Sequence, residues 1–206
     1  MYIAIINYDM GNIRSVENAF KKIGADVRVT GDPEVINNSG AVVLPGVGAF
    51  GDAYKNLKSM GLIKIIKENL KKKFFLGICL GMQLLFEYSL EDGKNMGLGI
   101  LKGYVEKIPS LAKIPHIGWN RLNIAKDSRL FSGMKEEEHF YFVHSYYVVP
   151  EDKNIVNCTT DYGAILTAGI ECGKIYGLQF HPEKSSAGGL NILENFWNMA
   201  VKESQS

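Results

Sequence analysis

Short apolar runs alternate with longer amphipathic ones through the first half of the chain. Residues 2–6, 26–29, 41–44 and 74–78 read as strands. Between them, residues 12–23 place Ile13, Val16, Phe20 and Ile23 at helical spacing, with Gly24 as the stop. Residues 53–73 carry a second stripe, Leu57, Leu62, Ile65, Ile66 and Leu70, broken near Gly61. Brief apolar strands separated by helices predict a parallel sheet covered on both faces. After residue 100 the pattern changes. Residues 104–108, 120–124, 140–143, 148–149, 155–159, 165–170 and 174–179 read as shorter strands with turn signals between them. They predict a mixed or antiparallel second half. Leu190, Leu193, Phe196, Trp197 and Ala200 predict a closing helix, with fraying expected over residues 203–206. No linker, repeat or low-complexity tract interrupts the chain, so residues 1–206 read as one domain of the α/β class.

Composition narrows the function. Of the 206 residues, 46% are apolar, enough for a substantial core. The formal net charge of +1 gives no reason to expect a nucleic-acid groove. Lys71-Lys72-Lys73 fits the solvated end of a helix. No apolar stretch is long enough to span a bilayer, and the first residues lack the features of a signal peptide. Three widely spaced cysteines suit a reducing compartment, which makes a cytoplasmic location the expectation. Without a CxxC pattern, neither zinc nor another cofactor is expected.

Gly77-Ile78-Cys79-Leu80-Gly81 stands between an apolar strand and a stretch, residues 82–87, that reads as helical. Strand, Gly-x-Cys-x-Gly turn and helix form the cysteine version of a nucleophile elbow. The two glycines suit a tight turn, and a helix N-terminus beneath the sulfur would favour its thiolate. Taken alone, the turn fits a reactive cysteine and a buried structural one equally. A base and its orienter are available in His181-Pro182-Glu183, just after the strand at 174–179. The proline favours an extended His181, and positions two apart in extended chain face the same way. Both Cys79 and His181 would fall at the carboxyl ends of strands, where open α/β sheets bind ligands. His116 and His144 read as locally hydrogen-bonded, and His139, after the acidic run 136–138, as solvated. For an oxyanion, the backbone N–H of Leu80 is one donor, and the turn Pro45-Gly46-Val47-Gly48 is a candidate for a second, although those four residues alone fit a plain turn after a strand better.

Together these residues resemble the class I, triad-type glutamine amidotransferases. Residues 45–53, 77–83, 115–120, 140–146 and 179–185 match one branch in order, the glutaminase subunits of imidazole glycerol phosphate synthase. The match covers essentially the whole chain. The resemblance implies a flavodoxin-like, mostly parallel central sheet with flanking helices and extra antiparallel strands. It implies that Cys79 attacks the side-chain amide of L-glutamine, that His181 shuttles the proton and that Glu183 orients His181. Leu80 and Val47 would supply the oxyanion N–H groups, the latter after a peptide flip. Gly48, Gln83, Ser145 and Tyr146 would hold glutamine. Ammonia would pass to a (β/α)₈-barrel cyclase subunit that makes imidazole glycerol phosphate and an aminoimidazole ribonucleotide in histidine biosynthesis. Asn12, Trp119, Tyr141 and Lys184 are candidates for the docking face, with Trp119 equally readable as core. Two other readings remain: a paralogous glutaminase of surface-sugar biosynthesis, and a non-catalytic subunit that keeps the fold. One departure is visible, Asp9 where the family usually has glycine, so a different backbone is expected there.

Overall fold

Strict alternation along the first strands sends their side chains into two separate cores. The computed structural model describes residues 1–109, 113–125, 128–135 and 137–204. Its elements run β1 (Ile3–Ile6), α1 (Ile13–Lys22), β2 (Val27–Thr30), α2 (Pro33–Asn37), β3 (Ala41–Gly46), α3 (Phe50–Ser59), α4 (Leu62–Leu70), β4 (Phe74–Cys79) and α5 (Leu80–Gln83). They continue with β5 (Tyr88–Ser89), β6 (Asn95–Met96), β7 (Gly103–Lys107), β8 (His116–Arg121), β9 (Asn123–Ile124), β10 (His139–His144) and β11 (Tyr146–Pro150). The last are β12 (Val156–Asp161), β13 (Ile165–Cys172), β14 (Ile175–Leu178) and α6 (Ser186–Ser204).

The main sheet has the order β2-β1-β3-β4-β14-β13-β12-β9. Pairing is parallel from β2 to β14 and antiparallel from β14 onward. On one face, Ile3, Ile5, Val43, Leu76 and Ile78 pack with Val16 and Phe20 of α1 and Leu193 and Phe196 of α6. On the other, Ala4, Ile6, Val42, Leu44 and Phe75 pack with Leu57 of α3 and Leu62 and Ile66 of α4. Each fully buried Phe, Leu or Ile stabilises the fold by about 1.5–3 kcal/mol relative to an exposed one. Two smaller sheets lie beside this frame, an antiparallel β8–β10 pair and the set β11-β7-β5-β6.

The architecture expected from the sequence is present, with local differences. The stripe over 53–73 does break at Gly61, which takes φ +69° and turns the chain between two helices. A short helix, α2, precedes β3 where none was expected; Asp32 caps it and Pro33 starts it. The helix expected over 82–87 is the single turn α5. Leu84, Leu85 and Phe86 are all fully buried, so this run has no polar face with which to lie on a surface as a helix. Finally, α6 reaches Ser204, whereas residues 205 and 206 of the segment expected to fray lie outside the described residues.

Candidate active site

β4 and β14 are parallel neighbours, with Leu178 beside Ile78, so Cys79 and the chain leaving β14 emerge at the same end of the sheet. Cys79 has φ +52° and ψ −111°, a strained conformation for a residue with a side chain. Close packing enforces it: a Cβ on Gly77 would come within 2.8 Å of the Gly81 carbonyl. Because α5 is one turn long, a helix dipole contributes little here. The sulfur's electrostatic neighbours are side chains.

The first is His181. Its ring is almost fully buried, and Nδ1 lies 2.8 Å from Glu183 Oε1, whose side chain is equally buried. Nε2 is buried without a hydrogen-bond partner. Burial pushes the imidazole pKa down, but the Cys79 sulfur and the Glu183 carboxylate outweigh it and raise the value to about 10. The pairing arises differently from the sequence expectation. His181 is extended, but Pro182–Lys184 form a 3₁₀ turn, and that turn brings Glu183 back to the ring. Proline suits the first position of such a turn. The backbone N–H of His181 donates to Tyr141 O at 2.9 Å. Ser185 completes the brace: its hydroxyl donates to His181 O and accepts from Tyr141 N–H.

In front of Cys79 lies a cavity of about 490 Å³. Seven of the residues singled out from the sequence line it: Cys79, Leu80, Val47, Gly48, Gln83, Ser145 and Tyr146. Gly48 has φ +107°, a region that favours glycine. His181 and Glu183 stand behind the sulfur and do not line the cavity. Lys184, expected at a docking face, lines it as well.

The docking candidates Trp119, Tyr141 and Lys184 do cluster. Trp119 is 51% exposed, which resolves it as a surface residue. Its ring meets Tyr141 edge-on at 6.0 Å, and Lys184 Nζ stands 5.7 Å above the Tyr141 ring. Asn12 precedes α1 and accepts the Ser15 hydroxyl. Asp9 takes φ +61°, so it holds a glycine-type backbone despite its side chain, supported by its N–H on Asn7 Oδ1. His139 is exposed as expected, whereas Glu136 beside it lies outside the described residues. Cys158 is buried, which pushes its thiol pKa up, and Cys172 is exposed at the end of β13. Among the described residues no three His, Cys, Asp or Glu side chains gather as they would around a metal ion. Among them, too, no helix is long and apolar enough to cross a membrane.

Two polar residues escaped the sequence reading. Glu91 lines the cavity, with Oε2 held by the Phe50 N–H at 2.7 Å. Gln179 is fully buried and its Nε2 lies 3.5 Å from Cys79 Sγ. Its signal was present: an amide between Leu178 and Phe180 in an apolar strand needs a buried partner.

A strained cysteine on a strand–turn–helix elbow, backed by a buried histidine–carboxylate pair from the next strand, is suited to acyl transfer from an amide. This chain belongs to the class I glutamine amidotransferases, the family whose model matches residues 4–199. Within that family it is 51% identical over 204 residues to the imidazole glycerol phosphate synthase subunit HisH of Aquifex aeolicus, covering 98% of this chain and 99% of that one. It is also 51% identical over 195 residues to the subunit of the same name from Methanothermobacter thermautotrophicus, covering 94% and 96%. A glutamine amidotransferase from Thermotoga maritima shares the fold, with a TM-score of 0.66 at 21% identity over 100% of this chain and 86% of that one. So does another glutamine amidotransferase crystal structure, with a TM-score of 0.77 at 18% identity over 98% of this chain and 100% of that one.

Proposed function

We propose that residues 1–206 form one glutaminase domain, the ammonia-producing subunit of an imidazole glycerol phosphate synthase in histidine biosynthesis. The observation that carries the chemistry is the 2.8 Å His181–Glu183 pair, with an unpartnered Nε2, behind the strained Cys79. Cys79 Sγ attacks the side-chain carbonyl of L-glutamine. His181 takes the thiol proton at Nε2 while Glu183 holds Nδ1–H and balances the cation. The same proton leaves with ammonia, and water then cleaves the γ-glutamyl thioester to glutamate. Leu80 N–H and, once its peptide has flipped, Val47 N–H stabilise the oxyanion.

Gly48, Gln83, Ser145 and Tyr146 hold the amino-acid end of glutamine. Both hydrogens of Gln83 Nε2 are taken, by Tyr146 O at 2.9 Å and Gln179 Oε1 at 3.1 Å. Its Oε1 is therefore the atom left for substrate, and it suits the α-ammonium group, as does the Glu91 carboxylate. Ammonia passes to a (β/α)₈-barrel cyclase subunit docked over Asn12, Trp119, Tyr141 and Lys184, in the cytoplasm. Two HisH relatives at 51% identity support this branch over a surface-sugar paralogue.

Glutamate release, measured with and without the barrel cyclase and its ribonucleotide ligand, tests the reading. Turnover that rises strongly in the complex is the expected result. Full activity of the isolated chain would contradict partner dependence. Rescue of a histidine-requiring strain that lacks its own glutaminase subunit tests the pathway.

A further inference from the structure

A chain of buried and partly buried hydrogen bonds runs from β8 to the nucleophile, and the chemistry of its members fixes the direction of every step. The fixed point is the Tyr146 carbonyl, which can only accept. It takes Gln83 Nε2 at 2.9 Å and His144 Nδ1 at 2.9 Å, so both are donors. Burial keeps the His144 ring neutral, holding its pKa down at about 3. Its Nε2 therefore carries no hydrogen and accepts from His116 Nδ1 at 3.1 Å. On the other side, the nitrogen of Gln83 also donates to Gln179 Oε1 at 3.1 Å. The Gln179 amide is thereby turned with its nitrogen toward Cys79, where Nε2 lies 3.5 Å from Sγ.

Gln179 is fully buried in this position, and its backbone N–H is tied to Ala168 O at 2.8 Å. The segment can neither rotate to solvent nor present its carbonyl to the sulfur without breaking the chain. A donor aimed at sulfur binds a thiolate more strongly than a thiol, because the bond to the anion is charge-assisted.

We infer that Gln179 serves the reaction by donating a hydrogen bond to the ionised Cys79 sulfur, and that Gln83, the Tyr146 carbonyl and His144 are the positioning groups that aim it. The inference rests on the glutaminase reading and adds a second role to Gln83. Its amide nitrogen is structural to the nucleophile, while its amide oxygen faces substrate.

Alkylation of Cys79 by iodoacetamide tests this in the full-length chain. The Cys79 peptide is followed by mass spectrometry, because Cys172 is exposed and reacts as well. Gln179→Met keeps the length and removes the donor. It should slow alkylation about tenfold at neutral pH, as expected for loss of one hydrogen bond to a charged group. At strongly alkaline pH, where any thiol is ionised, its rate should rejoin that of the unaltered chain. Gln83→Met touches nothing on the sulfur but releases the Gln179 amide, so about threefold slowing is expected. Circular dichroism melts confirm that each variant is folded.

Unchanged rates in both variants at neutral pH would overturn the proposal. A slowing by the same factor at every pH would also overturn it, since that marks altered access. With the barrel cyclase present, Gln179→Met should lower kcat and leave KM nearly unchanged. If the unaltered complex releases no glutamate while alkylation still depends on Gln179, the glutaminase reading fails and only the hydrogen bond to the Cys79 sulfur stands, without its role in the reaction. If hydrolysis is present but alkylation ignores Gln179, only this inference fails.

Discussion

Gly81 packs so tightly on the Leu44 carbonyl that a Cβ at Gly81 would lie 1.8 Å from the oxygen. The contact joins α5 to β3 with no side chain between them. It sets the depth at which the elbow sits above the sheet. Gly81→Ala has no flexible neighbour to push aside, only backbone. We expect a loss of stability on the order of 3 kcal/mol or more, read as a fall in the urea midpoint. A midpoint within error of the unaltered chain would mean that the elbow can lift off β3.

Cys79→Ala should abolish glutamate release, by about 10⁴-fold or more, with the fold retained. It should also lower the pKa of His181. Burial already pushes that imidazole down, and the sulfur is one of two groups holding it up at about 10. The sign for stability follows from the raised value. The stabilising effect of the protonated ring is full below the usual histidine value near 6.5 and is lost as pH rises toward 10. Titration of the His181 ring proton by NMR, in both forms, checks the shift.

Glu183→Gln keeps the shape of the carboxylate and replaces its charge. The new amide nitrogen can donate to Nδ1, which would leave the hydrogen on Nε2, the wrong tautomer for taking a thiol proton. Turnover should fall by about 10³–10⁴-fold with KM little changed. Retention of more than a tenth of the activity would remove Glu183 from the triad.

His144 gives the opposite pH dependence to His181. Burial depresses its pKa to about 3, so the unfolded chain binds the proton first as pH falls below about 6.5. Its contribution is present above that value and is lost progressively toward pH 3. Between pH 7 and 5 the chain should lose on the order of 2 kcal/mol through this ring. His144→Gln, which does not titrate, should flatten that part of the urea-midpoint curve. An identical curve would place the neutralising group elsewhere.

Trp119→Ala tests the docking face. The ring is half exposed and supported edge-on by Tyr141, so its loss should leave the melt within about 0.5 kcal/mol. Binding to the barrel cyclase, followed by calorimetry, should weaken by about 2 kcal/mol if the ring is an anchor. Unchanged affinity would move the interface elsewhere.

Much of this was legible in the chain. The elbow glycines, His181-Pro182-Glu183 and the strand–helix rhythm before residue 80 all announce themselves, because each depends on neighbours close in sequence. Less legible was what depends on distant ones. The expected helix at 82–87 failed because Leu84, Leu85 and Phe86 each have buried positions waiting on other elements. Trp119 could not be placed, since alternation along β8 fixes which residues share its face but not what covers that face. Gln179 was passed over because its partners, Cys79 and Gln83, lie 100 and 96 residues away.

That distance bears on how the protein is made. β14 sits between the parallel and antiparallel halves of the sheet, and it is one of the last elements to be synthesised. A nascent chain that has emerged as far as β13 already contains Cys79 and every residue that lines the cavity except Lys184. It has no imidazole, no carboxylate and no Gln179 amide beside the sulfur. Copies that stop before β14 therefore lack every group proposed to act on the sulfur, and the site is assembled only once the chain has been made past Glu183.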